Sequence, residues 1–158
     1  MITVQPGTTL ELDGWTATVV PAIHANVPQD GYSDGDRGDG ARFVGYVLRM
    51  GGVTVYHAGD TLLTDELRTG LHGLRPDVCL LPINGRDAER ESKGIAGNMG
   101  PRDAVELAAD VGARVLVPMH WDMFRGNTAD PTEVERIAKR LGAQIDVVVP
   151  RHFGPFDL

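Results

Sequence analysis

Three apolar, strand-like runs in this 158-residue chain each end on a side chain that can bind a metal ion. The first run ends at His24, the second at Asp60 and the third at His120. Loops at the carboxyl ends of strands are where α/β proteins build their sites, and two imidazoles with one carboxylate are ligand types of a hydrolytic zinc site. The pattern therefore predicts an α/β fold that gathers a metal site at the ends of its strands.

Two turn signals divide the first part of the chain into hairpins. Asp13-Gly14 and Gly51-Gly52 are dipeptides that accept the positive φ of tight hairpin turns. The predicted strands are 9–12 and 15–20 around the first turn, and 43–50 and 53–57 around the second. Between the hairpins, the Gly- and Asp-rich stretch 28–40 is predicted to be a long exposed loop of the kind that often faces a substrate.

After residue 60 the pattern changes to helices and strands in alternation, which favours α/β layering. Pro101 suits the first turn of a helix that Gly112 ends, and Asp130 suits the N-cap of a helix that Gly142 ends. Thr132-Glu133 adds a capping-box acid to that second helix start. The full set of predictions is a helix at 62–71, helices from 101 and from 131, and strands at 78–83, 115–119 and 145–149.

Composition narrows the class of protein. An apolar content of 42% over 158 residues predicts a single domain, 1–158, with its own core. The formal net charge of −7 disfavours nucleic acid as a partner, and a small-molecule substrate fits better. No apolar stretch is long enough to span a bilayer and the opening residues lack a signal peptide, so we expect no membrane partner and a cytoplasmic location. Cys79, the only cysteine, is expected to be a small buried hydrophobe.

His24, Asp60 and His120 lie 36 and 60 residues apart, so their spacing alone does not define a site. Gly59 allows the chain to turn sharply, which would project the Asp60 carboxylate beyond the sheet edge, where it can bridge two cations. Two metal ions held in this way acidify a shared water to a pKa of about 7.

Arg86 can clamp a phosphate or carboxylate with two hydrogen bonds. The alternative for Arg86 and Asn84 is a structural turn with a solvated arginine. Trp121 and Asp122, next to His120, could wall the pocket or orient the ligand. His57 is expected to be a packed residue that supports the site.

Four ordered segments resemble the metallo-β-lactamase superfamily, specifically its L-ascorbate-6-phosphate lactonase-like branch. The resemblance extends over nearly the whole chain, from about Thr3 onward. The segments are Val55-Tyr56-His57-Ala58-Gly59-Asp60-Thr61, Leu81-Pro82-Ile83-Asn84-Gly85-Arg86, Gly97-Asn98-Met99-Gly100-Pro101 and Pro118-Met119-His120-Trp121-Asp122-Met123-Phe124.

The resemblance implies the second half of an αββα sandwich, in which helices cover a mixed sheet, so that 1–158 corresponds to the C-terminal half of a hydrolase. It implies two divalent ions, Zn²⁺ or Mn²⁺: His24 would bind the first, Asp60 would bridge both, and His120 would be the last ligand of the second. Asp60 and His120 would be catalytic, and Asn84, Arg86 and Asn98 would bind substrate. The His-x-His-x-Asp-His motif of the family is absent, so the visible ligand set is incomplete.

Two hypotheses of different classes follow. In the first, the protein is a metal-dependent, lactonase-like hydrolase in which metal-bound hydroxide attacks a lactone or ester carbonyl. In the second, it is a non-catalytic half-domain that binds a partner or self-associates. The partners expected are a small-molecule substrate and either a companion N-terminal half or a second copy of the chain. The sequence leaves open the substrate, the metal and whether this chain acts alone.

Overall fold

The computed structural model describes residues 2–24, 43–94 and 97–151. Their strands form one seven-stranded mixed sheet in the order β1-β2-β3-β4-β5-β6-β7. Pairs from β1 to β4 are antiparallel and pairs from β4 to β7 are parallel. The strands are β1 Thr9–Leu12, β2 Trp15–Pro21, β3 Val44–Met50, β4 Val53–His57, β5 Val78–Pro82, β6 Val115–Met119 and β7 Asp146–Val147.

Four helices follow β4 in the connections between parallel strands. They are α1 Asp65–His72, α2 Ala88–Ser92, α3 Pro101–Asp110 and α4 Thr132–Leu141. The mixed sheet with helices in its crossovers confirms the predicted α/β class. No helix of the described ranges is long and apolar enough to cross a membrane.

Apolar residues of α1, α3 and α4 form one core cluster with one face of the sheet. The registers place Val47, Tyr56, Cys79 and Leu116 side by side on that face, and all four belong to the cluster. We call this the helix-covered face. Its strand residues are joined in the core by Leu67 and Leu71 of α1, Leu107 of α3 and Val134 of α4.

Both predicted hairpins are present, with their turns at Asp13-Gly14 and Gly51-Gly52. All three glycines of these turns have a positive φ, as tight hairpin turns require. Helix α1 begins three residues later than predicted. The Leu62 amide is already bound to the Ile23 carbonyl oxygen, and the Thr64 hydroxyl caps the helix by accepting from the Leu67 amide.

Strands β2, β3 and β5 each differ from the predicted bounds by one residue at one end, and α2, β7 and α4 differ as follows. Helix α2 was not predicted at all. The predicted strand 145–149 is shortened to Asp146–Val147. The Asp130 carboxylate accepts from the Thr132 amide as foreseen, but Pro131 occupies the N-cap position and α4 begins at Thr132. The predicted loop 28–40 lies outside the described residues.

Candidate metal centre

Sheet topology brings the three predicted ligands to one edge. Strand β2 is antiparallel to β3, and β3 is antiparallel to β4, so β2 runs in the same direction as β4 and β6. The carboxyl ends of these three strands therefore lie on the same side of the sheet. His24, Asp60 and His120 follow them by one to three residues.

The Asp60 carboxylate lies between the two imidazoles. Its Oδ2 atom is 3.1 Å from His120 Nε2 and 3.5 Å from His24 Nε2. The His24 and His120 side chains are only 9% and 11% exposed, whereas the Asp60 side chain is 41% exposed. The site is thus a pair of buried imidazoles that share one carboxylate, which remains open to solvent.

A phenylalanine ring packs beside each imidazole. The Phe43 and His24 ring centroids are 5.2 Å apart, and the Phe124 and His120 centroids are 6.3 Å apart with the rings edge to face. Phe124 is 58% exposed. An exposed aromatic ring therefore stands next to His120.

Thr61 joins the loop that carries Asp60 to the loop that carries His24. Its buried hydroxyl accepts a hydrogen bond from the Ile23 amide at 3.0 Å and donates one to the Leu62 carbonyl oxygen at 3.0 Å. The Leu62 amide donates back to the Ile23 carbonyl oxygen at 2.8 Å. These bonds fix the residue before His24 against the residues after Asp60, which sets the spacing of the two side chains.

The turn before Asp60 requires glycine, as the sequence predicted. Gly59 has φ of 63°, and a Cβ there would meet the Val44 carbonyl oxygen at 3.3 Å. His120 also has a positive φ, 55°, which is uncommon for a residue with a side chain and points to a constrained position. His57 was predicted to be a packed residue, but it is exposed. Its Nδ1 atom accepts a hydrogen bond from the Gly59 amide at 3.1 Å.

The donor set and its spacing fit a divalent metal. Zinc–nitrogen and zinc–oxygen bonds of about 2.0–2.2 Å in a tetrahedron place neighbouring donor atoms roughly 3.3 Å apart. The two observed donor separations, 3.1 and 3.5 Å, lie on either side of that value. Within the described ranges, however, no three His, Cys, Asp or Glu side chains form one closed ligand group. The geometry is that of two histidine–carboxylate pairs with a shared aspartate.

Asn84 and Asn98, predicted to bind substrate, are buried at 2% and 1% exposure. The Asn98 side-chain amide donates to Asn84 Oδ1 at 3.0 Å, and the Asn84 amide donates to Asn127 Oδ1 at 3.0 Å. Arg90 closes the network by donating to Asn127 Oδ1 at 2.7 Å. In this conformation the two asparagines hold loops together and present no amide to the surface, so their role in substrate binding stays a prediction.

Arg86 is half-exposed, and its guanidinium pairs with the Glu91 carboxylate at 2.9 Å. It lines an open cleft of 460 Å³ together with Ile23, Leu62, Arg68, Asp103 and Glu106. The cleft lies beside the metal centre, because Ile23 precedes His24 and Leu62 closely follows Asp60. Arg86 is therefore near the site, but in this conformation it is engaged by a carboxylate.

A smaller pocket of 210 Å³ adjoins His120. Trp121 and Asp122 line it, together with Pro118, Met119, Pro150 and Arg151. Of the two roles considered for Trp121 and Asp122, this placement favours a pocket wall.

The structure also contains polar residues near the site that the sequence did not indicate. Asn127 and Arg90 carried no signal, because Asn127 lies in an irregular turn and Arg90 lies in a helix too short to show periodicity. Thr61 was part of a recognised segment, but the hydrogen bond that its hydroxyl accepts comes from the Ile23 amide, in a loop 38 residues away.

Cys79 is fully buried in β5, as predicted, and burial raises the pKa of its thiol to about 12. The thiol is therefore protonated at neutral pH and is not available as a nucleophile or metal ligand.

Comparison with known proteins gives three kinds of match. A family model described as a β-lactamase superfamily domain matches residues 1–121. A UPF0173 metal-dependent hydrolase of Methanoculleus marisnigri is 36% identical over 134 residues, which is 85% of this chain and 54% of that protein. One from Methanopyrus kandleri is 34% identical over 143 residues, 90% of this chain and 56% of that protein. The chain thus spans about half the length of these relatives.

Among solved structures, Igni18, a metallo hydrolase of Ignicoccus hospitalis, is 29% identical with a TM-score of 0.70, covering 95% of this chain and 57% of that one. The metallo-β-lactamase fold protein YhfI of Bacillus subtilis is 18% identical with a TM-score of 0.64, covering 95% of this chain and 52% of that one. At that identity YhfI supports the fold alone, and both matches confirm the predicted fold class.

Proposed function

Since the chain belongs to the family described as a β-lactamase superfamily domain, we propose that it carries part of the metal centre of a metal-dependent hydrolase. The observation that carries the proposal is the Asp60 carboxylate oxygen, within 3.5 Å of the Nε2 atoms of both His24 and His120. The names of the relatives from Methanoculleus marisnigri and Methanopyrus kandleri support the same class of activity.

In this proposal His24 and His120 would each hold a divalent ion, and the Asp60 carboxylate would be shared between the two ions. When bound, the ions would supply an acidified water and a Lewis acid for a carbonyl oxygen. Burial keeps the imidazoles in place, and the exposed carboxylate leaves an approach for substrate from solvent. Two ions, either Zn²⁺ or Mn²⁺, are part of the proposal, because imidazole and carboxylate accept both.

We further propose a lactone or related ester as the substrate class and the cytoplasm as the location. The lactone follows from the four segments that resemble the lactonase-like branch. Arg86, in the cleft beside the centre, would recognise an anionic group once it is released from Glu91.

Metal content is the first test. The purified chain is dialysed to equilibrium against Zn²⁺ or Mn²⁺, and the bound ion is measured by inductively coupled plasma mass spectrometry. Because the visible ligand set is incomplete, we expect weaker binding than a complete centre would give, and a loss of most of the bound ion in Asp60→Ala, His24→Ala and His120→Ala. His72→Ala is the matched control, because His72 is an exposed histidine at the end of α1 and its loss should leave metal content unchanged.

A wild type that binds no metal, or variants that bind as much as the wild type, would contradict the proposal. Where metal is retained, a panel of lactones and aryl esters tests the substrate class. Hydrolysis that is lost in Asp60→Ala and kept in His72→Ala would support the lactonase assignment.

The second candidate function is a non-catalytic module that self-associates or binds a companion polypeptide. The observation that favours it is a strip of exposed apolar residues that are paired across β1 to β4: Leu12, Trp15, Met50 and Val53. Metal content separates the two candidates, since a module that only binds a partner has no need of metal at Asp60.

A further inference from the structure

Three buried asparagines form one chain of side-chain hydrogen bonds next to the candidate metal centre. Asn98 donates its amide to Asn84 Oδ1, and Asn84 donates its amide to Asn127 Oδ1, each at 3.0 Å. We call these three residues the asparagine chain. Arg90 stands at one end of it, where Nη1 donates to Asn127 Oδ1 at 2.7 Å and to the Asn84 backbone carbonyl oxygen at 2.8 Å. The Arg90 side chain is only 19% exposed, and the Asp87 carboxylate accepts from its Nε atom.

Arg90 sets the direction of the asparagine chain. A guanidinium has donors only, so the Asn127 atom that faces it must be the amide oxygen. That oxygen also faces Asn84, which must therefore turn its NH₂ group toward Asn127 and its own oxygen toward Asn98. Asn98 must then present its NH₂ group to Asn84. Turning an asparagine amide by about 180° exchanges donor and acceptor at almost unchanged shape, and Arg90 removes this freedom from all three residues.

The far end of the asparagine chain shows the same direction. Because every amide of the chain donates toward Asn127, the residue at the opposite end is left with an unused acceptor. Within the described ranges, Asn98 Oδ1 is such an atom, buried and without a hydrogen-bond partner. Buried oxygens in that state are less rare than buried N–H groups without an acceptor. The unpaired oxygen of Asn98 therefore follows from the donor at the other end, Arg90.

Asn127 ties the asparagine chain to the loop that follows His120. The Ala129 amide donates to the Trp121 carbonyl oxygen at 2.9 Å, which closes the loop 121–129 directly after His120. The Asn127 side chain is the point at which the asparagine chain and its arginine hold this loop. A displaced Asn127 would therefore displace the loop that leads away from His120.

Asn98 ties the other end of the asparagine chain to the loop of Asp60. The next residue, Met99, donates its amide to the Thr61 carbonyl oxygen at 2.9 Å, and Thr61 directly follows Asp60. One continuous path of hydrogen bonds and backbone thus joins the loop of Asp60 to the loop after His120. The two side chains that it brings together are the pair whose Oδ2 and Nε2 atoms lie 3.1 Å apart.

We propose that Arg90 is a positioning residue of the candidate metal centre. By fixing the direction of the asparagine chain, it locks the loop after His120 against the loop of Asp60 and so maintains the spacing of these two candidate ligands. Arg90 does not bind metal itself, because a guanidinium has no lone pair to offer. The inference rests on the proposed function, since the spacing matters to a metal centre only if metal is bound there.

The direction of the chain is tested by one substitution at three positions. Ionised aspartate has the shape of asparagine but only accepts hydrogen bonds. Asn127→Asp keeps both bonds that this side chain accepts, so it should change Tm by less than about 2 °C. Asn84→Asp and Asn98→Asp each set two acceptors against each other in a buried site, and each should lower Tm by at least about 4 °C at pH 7. Equal shifts at the three positions would overturn the proposal.

Metal affinity tests the effect on the centre. Zn²⁺ binding in equilibrium dialysis should weaken roughly tenfold or more in Arg90→Met, which keeps the apolar stem and removes the donors. Arg90→Lys restores a group that only donates, and it should recover most of the affinity. Val134→Ala is the control, because Val134 is fully buried in α4. Its truncation should lower Tm but leave the Zn²⁺ dissociation constant within about twofold. Equal losses of affinity in Arg90→Met and Val134→Ala, or none in Arg90→Met, would overturn the proposal.

Hydrogen exchange of the metal-free protein separates this inference from the proposed function. The Ala129 and Met99 amides report on the two loops, and the Ala58 amide, bound to the Leu80 carbonyl oxygen, is the reference. Relative to Ala58, both amides should exchange roughly tenfold faster in Arg90→Met than in the wild type. A wild type that binds no Zn²⁺ would contradict the proposed function, whereas faster exchange at both amides would still support the lock. Unchanged exchange ratios in Arg90→Met would overturn it.

Discussion

At the scale of single residues, Thr61 joins two loops of the candidate metal centre without being one of the predicted ligands. Its hydroxyl is fully buried and joins the loops of His24 and Asp60. Thr61→Val keeps the shape but leaves the Ile23 amide unsatisfied, which should lower the free energy of unfolding by about 1–3 kcal/mol. We also expect metal affinity to fall at least tenfold, because the two ligands lose their fixed spacing.

Thr61→Ser separates positioning from general damage, since it restores the hydroxyl and removes only a methyl group. Urea unfolding and metal titration against a competing chelator would measure both effects. Thr61→Ser should recover most of the affinity, and an undiminished affinity in Thr61→Val would show that the hydroxyl does not position the ligands.

Tyr56 is a buried residue whose hydroxyl has no hydrogen-bond partner within the described ranges. Burial, and secondarily the neighbouring Cys79, hold the pKa of Tyr56 far above its ordinary value. Tyr56→Phe removes an unsatisfied polar group and should raise the free energy of unfolding by up to about 1 kcal/mol at pH 7. Tyr46→Phe is the control, because Tyr46 is half-buried and lies on the other face of the sheet. This substitution should change the free energy of unfolding by less than about 0.5 kcal/mol.

The same shift predicts a dependence on pH. Above the ordinary tyrosine pKa of about 10 the unfolded chain releases this proton and the folded chain does not, so stability falls as pH rises, by up to about 1.4 kcal/mol per pH unit. Urea midpoints between pH 9 and 11 should therefore fall less steeply in Tyr56→Phe than in the wild type. Equal slopes would show that Tyr56 ionises normally in the fold.

At the scale of elements, the segment before α3 depends on a glycine packed against another loop. A Cβ on Gly97 would lie 2.7 Å from the Gly85 carbonyl oxygen and closer still to the Arg86 side chain. Gly97→Ala should therefore cost about 1–3 kcal/mol of unfolding free energy by overpacking. Gly73→Ala is the matched control, since Gly73 has φ of −73° and open space around it. Urea unfolding of both variants checks the contrast, and equal stabilities would contradict it.

Most elements could be predicted because their signals are local. Asp13-Gly14 and Gly51-Gly52 identified both hairpins, and Gly142 ends α4 at φ of 66°. The start of α1 was predicted three residues too early, although the Thr64 hydroxyl that caps the helix and the acidic residues Asp65 and Glu66 after it are local signals. Helix α2 is only five residues long, which is too short to produce a periodic pattern.

The candidate site could also be predicted only in part. Strand ends followed by His24, Asp60 and His120 could be recognised one at a time, but their approach depends on β2, β4 and β6 running in one direction. The burial of Asn84 and Asn98 depends on Asn127, which lies 43 and 29 residues further along the chain. Side-chain networks between distant loops have no local signature, so nothing in the sequence indicated that these two asparagines, predicted to bind substrate, would be buried.

At the scale of the whole molecule, one sheet serves two purposes. Its edge gathers the candidate metal ligands, and its helix-covered face forms the core with α1, α3 and α4. Metal binding at the edge should therefore stabilise the entire sheet, because His24, Asp60 and His120 follow three different strands. Local fraying of any one of those strands would break the centre.

This coupling predicts that metal raises the unfolding midpoint of the whole domain. A ligand that binds only the folded state, at 100 times its dissociation constant, adds about 2.7 kcal/mol. For a domain of this size that corresponds to roughly 5–11 °C in Tm. Scanning calorimetry with and without Zn²⁺ or Mn²⁺ should show this increase in the wild type and in His72→Ala, and its loss in Asp60→Ala.

Because each of the three strands is joined to the others through the sheet, the protein should unfold in a single transition, and metal should shift that whole transition. A shift confined to one part of a split transition would mean that the metal does not link the three strands.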